Sequence, residues 1–307
     1  MAMPNTIMPR VHRSVRAKEN GAGWLFGLPA TLGLLLFTIG PMLMSLGYSF
    51  TDLSFSGKWQ FVGLQNYVNM FSGTDIYFYQ ALRVTAEYVL WSVPMKISYA
   101  LLLALLLNQP VRGQSVYRTI FYLPSIVPTV AISMIWMWLL NPEFGLVNEI
   151  LRALGLPTSQ WIYDEDTVIP TLALMSVWTT GGMMVVFLAG LQDIPTSLYE
   201  ALALDGGGPW AKFRHVTVPL MTPTIFFNLC TTLIGCFQVF SEAYIMTNGG
   251  PNNASLFYVF YLYREAFTYG RMGSACAIAW VLFVLVMAVT VLVFRSSKRW
   301  VFYMGGN

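Results

Sequence analysis

Residues 200–223 read EALALDGGGPWAKFRHVTVPLMTP, a polar, glycine-broken stretch between two long apolar segments. A plain loop would need only a short charged turn. This one carries two helix signatures. Thr196 and Ser197, after Pro195, are start signals; Gly206, Gly207 and Gly208 stop the first piece, and Pro209 opens a second. Leu198 and Leu202 share one face of the first piece, while Trp210, Phe213 and Val216 recur every three residues in the second. An exposed amphipathic pair needs something to bury its apolar face, and a groove on a soluble partner is one solution.

The flanks of this stretch read as membrane segments. Of 307 residues, 56% are hydrophobic and 10% charged, where a soluble domain carries about a quarter charged residues. Mean hydropathy is +0.59. Six apolar stretches, at 24–50, 81–107, 119–140, 168–191, 220–246 and 273–294, approach or exceed the roughly 20 residues that span hydrocarbon. Lipid offers no partner to free backbone groups, so these segments must be helices. The expected fold class is all-α: a polytopic membrane bundle of six transmembrane helices with a short amphipathic loop helix. The expected organisation is a tail at 1–23, a membrane domain at 24–294 with the polar loop at about 192–219, and a tail at 295–307. The first segment follows a polar tail and is too long for a signal h-region, so it reads as a retained span.

Basic residues set the expected orientation. Arg10, Arg13, Arg16 and Lys18 precede the first span; Arg112 and Arg118, then Lys212 and Arg214, lie in two loops; Arg295, Lys298 and Arg299 follow the last span. These are 11 of the 17 basic residues; 5 lie on the other side, and Lys96 falls within a span. The positive-inside rule puts both termini and the 192–219 loop in the cytoplasm. The net charge of +3 is then mostly a topology signal, and nucleic acid is no expected partner.

Enzyme and metal chemistry find no foothold. There is no GxxxxGK[ST] stretch to cradle ATP, and GxSxG and HExxH are absent. His12, His215 and three cysteines at 230, 236 and 276, all within apolar spans, make neither a metal cluster nor a disulfide framework. No catalytic residue, metal site or cofactor is expected in this chain.

The 200–223 stretch resembles the EAA loop of ABC-importer permeases. Glu200 and Ala201 match its start, Leu202 replaces its second Ala, Gly206 matches, and Val216, Val218 and Pro219 close it. FVGLQNY at 61–67, FYLPSIVP at 121–128 and MTNGGPNNAS at 246–255 are similar to the carbohydrate branch of that family. The resemblance covers roughly 24–294. It implies a non-catalytic permease in the bacterial inner membrane, carrying a sugar-type substrate. It implies a second permease as heterodimer partner, an extracytoplasmic substrate-binding protein and two ATPase subunits that bind the ATP and magnesium. It assigns ATPase coupling to Glu200, Ala201, Asp205, Gly206 and Pro219.

Polar residues within spans mark a candidate path. Asn228, Thr231, Thr232, Gly235, Gln238 and Glu242 recur every three or four residues, as do Tyr88, Ser92, Lys96 and Tyr99. A central Lys or Asp facing lipid costs about 2.5–3.5 kcal/mol on the insertion scale, so these stripes face the bundle interior. Two readings stay open: hydrogen bonds that join helices, or a substrate cavity built on Gln238, Glu242 and Lys96, with Tyr244 or Trp178 as sugar-stacking faces and Asn228 further along. The extracytoplasmic segments 61–71 and 145–156 read as amphipathic surface helices covering the bundle, the latter with Leu146, Ile150, Leu151 and Leu154 on one side. The alternative is a self-contained secondary transporter or membrane-embedded enzyme; a secondary transporter requires internal repeats or broken helices in paired positions. Pro124 and Pro128 break the third span, and no matching break is legible elsewhere.

Overall fold

The computed structural model describes residues 11–57, 59–110 and 112–302. Among these residues the fold is all-α, and the isolated bridges Thr51–Phe61 and Ser54–Arg271 are the only extended pairings. Four helices are long and apolar enough to cross a membrane: Gly23–Tyr48, Ile76–Leu107, Pro209–Cys236 and Met272–Ser297. Two helix pairs meet the same test together but are bent: Gln114–Ser125 with Thr129–Leu139 by 94°, and Val168–Val177 with Gly181–Gln192 by 50°. The count is six if each bent pair is one span.

The bends have local causes. At the first, Pro124 sits in a single 3₁₀ turn and Val127 is extended ahead of Pro128, as expected for a residue preceding proline. At the second, the hydroxyls of Ser176, Thr179 and Thr180 each donate to the carbonyl three residues earlier, at 2.7, 3.0 and 2.8 Å. Such back-bonding competes with the helical ladder and bends it. The sequence reading therefore needs correction: the third-span break is not alone.

The fifth apolar stretch also departs from expectation. Its helix begins at Pro209, well before residue 220, and ends at Cys236 rather than 246. The second piece of the 192–219 loop is thus the start of this long helix. Residues 237–240 leave the helix, and a π-helical turn follows at Ala243–Thr247.

The Ile76–Leu107 helix is the central post. Asp75 caps it, its carboxylate accepting the Tyr77 N–H at 3.0 Å. It packs against Val168–Val177, Gly181–Gln192 and Pro209–Cys236. Its N-terminal half joins a cluster with Phe257, Tyr258 and Tyr261, and its C-terminal half, through Ala100, Leu103 and Ala104, a second, inner cluster with Met184, Phe187 and Met221 that lies nearer the 192–219 loop. Backbones approach closely where the two bent pairs meet: a Cβ on Gly181 would stand 2.7 Å from the Tyr122 Cα. Small residues permit such contacts between membrane helices. The Gly23–Tyr48 helix packs on Met272–Ser297 through its Gly40–Tyr48 part, while Phe26 and Phe37, earlier along it, are more than four-fifths exposed, a face that suits lipid and not water.

The expected covering face of the 146–153 helix is only partly seen: Val147 packs on the bundle and Leu151 is half-buried. Leu146, Ile150 and Leu154 are exposed, and the buried residue is Asn148. Its amide donates to the Pro142 and Ser159 carbonyls at 3.1 and 2.9 Å and accepts from the Trp161 indole at 2.9 Å. The turn at 246–255 is tight and polar, as expected. Asn248, Gly249, Asn252 and Asn253 have positive φ, and the Ser255 hydroxyl ties to the Gly250 carbonyl at 2.6 Å.

Candidate functional site

The bends converge. Ser125 and Val127 at the first break, Ser176 and Thr179 at the second, and Glu242 beyond the end of the fifth-stretch helix line one cavity of about 260 Å³. A second cavity of about 280 Å³ adjoins it through shared Ser125 and Thr179; Lys96, Thr180, Thr232 and Cys236 line it. Each is slightly below the roughly 300–1,000 Å³ range of small-molecule sites, and together they form one groove. Irregular backbone at membrane depth is tolerated where it lines such a space.

Lys96 and Glu242 thus reach one groove from different elements. The Lys96 Nζ lies 3.9 Å from the Cys236 Sγ and 6.0 Å from the Tyr88 ring centre. No ion pair joins Lys96 to a carboxylate among the described residues. Ser133 also lines the groove; it is 1% exposed and its hydroxyl has no protein partner.

The other path residues lie elsewhere. The spacing put Gln238 and Glu242 on one helical face, but the helix ends at Cys236, before both, and Gln238, within the break, is exposed outside the groove. Asn228 is buried and donates to the Thr224 carbonyl of its own helix at 3.0 Å. Tyr244 stacks on Phe240 at 5.4 Å and meets Tyr263 edge-on. Trp178 sits at the second bend with its ring edge-on to Trp136 at 5.8 Å. Ser125, Ser133, Ser176 and Thr179 escaped the sequence reading. Ser176 and Thr179, three residues apart beside a Gly-Gly pair, are a signal that was available.

The 192–219 loop is a second candidate. Its first helix runs Thr196–Leu204. Tyr199 and Leu202 pin it inward: the Tyr199 hydroxyl is 3.0 Å from the Thr217 hydroxyl, and Leu202 packs on the inner cluster. Glu200, Ala201 and Asp205 face outward with Leu204, which is 90% exposed. The helix ends in a Schellman motif. The Gly207 N–H bonds the Leu202 carbonyl at 2.8 Å and the Gly206 N–H the Ala203 carbonyl at 3.1 Å. Gly206 has φ +82°, where a side chain is strained. Trp210, 69% exposed, lies tilted against Phe213 at 5.6 Å. Pro219 is half-buried in the following helix, its carbonyl accepting the Thr222 hydroxyl at 2.6 Å.

Among the described residues no group of His, Cys, Asp or Glu is arranged to hold a metal ion.

Comparison with known proteins gives these features a family. Residues 96–301 match the family described as "Binding-protein-dependent transport system inner membrane component". A probable ABC transporter permease protein of Bacillus subtilis, YesP, is 42% identical, with 95% of this chain and 94% of that protein covered. The arabinooligosaccharides transport system permease protein AraP of the same organism is 32% identical over 96% of this chain and 94% of its own length. The trehalose/maltose transport system permease protein MalF of Thermococcus litoralis is 32% identical, covering 92% and 96%. A solved bacterial alginate ABC transporter, in complex with a pentasaccharide-bound periplasmic protein, contains a chain of the same fold, with TM-score 0.82, 22% identity and coverage of 95% and 98%. An exposed loop helix on a polytopic bundle, an interior polar groove and relatives aligned almost end to end make one conclusion: the chain belongs to the binding-protein-dependent transport system inner-membrane family, as a non-catalytic permease subunit of the ABC-transporter type whose ATP hydrolysis is done by a separate ATPase.

Proposed function

We propose that this chain forms half of the translocation path of an ATP-driven importer for a sugar or oligosaccharide. It pairs with a second, different permease, two ATPase subunits that bind ATP and magnesium, and an extracytoplasmic binding protein. The observation that carries this reading is the meeting of three interrupted helices at one hydroxyl-rich groove. Relatives named for arabinooligosaccharides and for trehalose and maltose favour the sugar class.

The mechanism is alternating access. ATP closes the ATPase dimer and moves the clefts that grip the Thr196–Leu204 helix. That helix is tied to the Pro209–Cys236 helix by the Schellman turn and by the Tyr199–Thr217 hydroxyl contact. The 28-residue helix is about 40 Å long at 1.5 Å per residue. It carries motion at the loop to its far end, where Thr232 and Cys236 line the groove. The groove opens outward to receive sugar from the binding protein, and returns inward after hydrolysis. The free energy comes from the ATPase; this chain supplies the lever. Both termini and the loop face the cytoplasm.

The test is reconstitution of the co-expressed complex in proteoliposomes with a panel of labelled mono- and oligosaccharides. Accumulation that needs both ATP and the binding protein is expected. Accumulation driven by an ion gradient without an ATPase would support the secondary-transporter reading instead.

A further inference from the structure

The groove holds one cation, Lys96, that makes no direct ion pair among the described residues. Lys96 lies in the middle of the central helix, within an apolar span, where an ammonium group is tolerated only beside a cavity or a partner. Cavity it has: Ser125, Thr179, Thr180 and Thr232 surround it with hydroxyls. Partner it lacks. Cys236 and the Tyr88 ring are its close neighbours, and no ion pair to it exists among the described residues. Glu242 stands in the adjoining cavity, beyond Ser125 and Thr179, beside the unpartnered Ser133 hydroxyl.

We propose that the saccharide carried through this groove is acidic, and that Lys96 receives its anionic group. The inference rests on the saccharide-importer reading above and names the substrate class for that same groove. The two ends of the groove differ in sign, so a ligand with one carboxylate and several hydroxyls has a preferred orientation. Its anionic end meets Lys96; its hydroxyls donate to Glu242 and exchange hydrogen bonds with Ser133, Ser176 and Thr179. Charge-assisted hydrogen bonds of this kind are the stronger ones, and they give specificity by leaving Lys96 unpaired against a neutral sugar.

The test compares digalacturonate and dimannuronate with their neutral counterparts galactobiose and mannobiose, and a sugar phosphate with its free sugar. Uptake by the reconstituted complex is read for the intact chain, Lys96→Gln and Lys96→Arg. Acidic members are expected to be carried. Lys96→Gln should cut their uptake on the order of thirtyfold or more, while Lys96→Arg retains part of it. Membrane abundance and ATPase co-purification are expected to be unchanged in both variants. Uptake of neutral members alone by the intact chain overturns the proposal, whatever the variants do. So does acidic uptake indifferent to Lys96→Gln. Restoration of Lys96→Gln transport by a second Glu242→Gln change also overturns it, because Lys96 would then serve Glu242. If the assembled complex carries no saccharide of either kind, the importer reading itself fails.

Discussion

At the residue scale, Gly206 carries the sharpest demand. Its φ of +82° and the two Schellman hydrogen bonds let the chain reverse between the loop helix and the long helix. A β-branched side chain at positive φ is strained by about 1–3 kcal/mol, so Gly206→Val should misdirect the Thr196–Leu204 helix while leaving the bundle intact. The expected outcome is normal membrane abundance with ATPase co-purification lowered on the order of tenfold, the equivalent of about 1.4 kcal/mol. Unchanged co-purification would remove the loop from docking. Glu242 and Gln238, which spacing alone treated as a pair, share no helix: Gln238 lies in the break at 237–240 and Glu242 in the turn that follows. Glu242→Ala is therefore expected to reduce uptake by about tenfold or more, as loss of one charge-assisted hydrogen bond to a bound ligand does. Gln238→Ala should leave uptake near the intact level. Equal effects of both would mean that the groove is not the path.

At the element scale, the central helix and the lever helix are the parts whose integrity matters. Asp75 satisfies the first turn of the central helix and also accepts the Tyr261 hydroxyl. Asp75→Ala removes the cap and leaves that hydroxyl unpaired, so a loss of about 1–2 kcal/mol is expected. It should appear as a lower thermal midpoint of the purified complex, with ATPase binding unaltered. Thr217 is 7% exposed and joins the lever to the loop helix through Tyr199. Tyr199→Phe is expected to keep assembly and basal ATP hydrolysis but weaken the link between hydrolysis and uptake, read as more ATP consumed per sugar. An unchanged ratio would place the lever elsewhere. The elements also show what was legible in advance. Six apolar stretches and the stop at Gly206 follow from composition and glycine chemistry, which act locally. The bend at 178–180 comes from three hydroxyls turning back on their own carbonyls. Hydropathy does not register that choice. The outward face of the 146–153 helix was misread because Asn148, a polar residue, is the one that finds buried partners. Amphipathic spacing assigns burial to leucines and cannot see that network.

At the scale of the whole molecule, topology and assembly are one question. The 11-to-5 bias of basic residues is the basis for proposing that both termini and the loop lie on the ATPase side. A periplasm-dependent reporter fused after Asn307 should be inactive, and one inserted at 246–255 active; the reverse pattern would invert the account. The Gly23–Tyr48 helix presents an apolar face outward from the bundle. The measurement closest to the central claim is a photoreactive residue in place of Leu204, which is 90% exposed at the end of the loop helix. Irradiation of membranes from cells expressing the whole transporter should yield one major adduct, with an ATPase that carries a Walker-A sequence. Gly206→Val in the same chain should abolish it. An adduct with the extracytoplasmic binding protein, or with lipid alone while the ATPase is bound, would contradict the account.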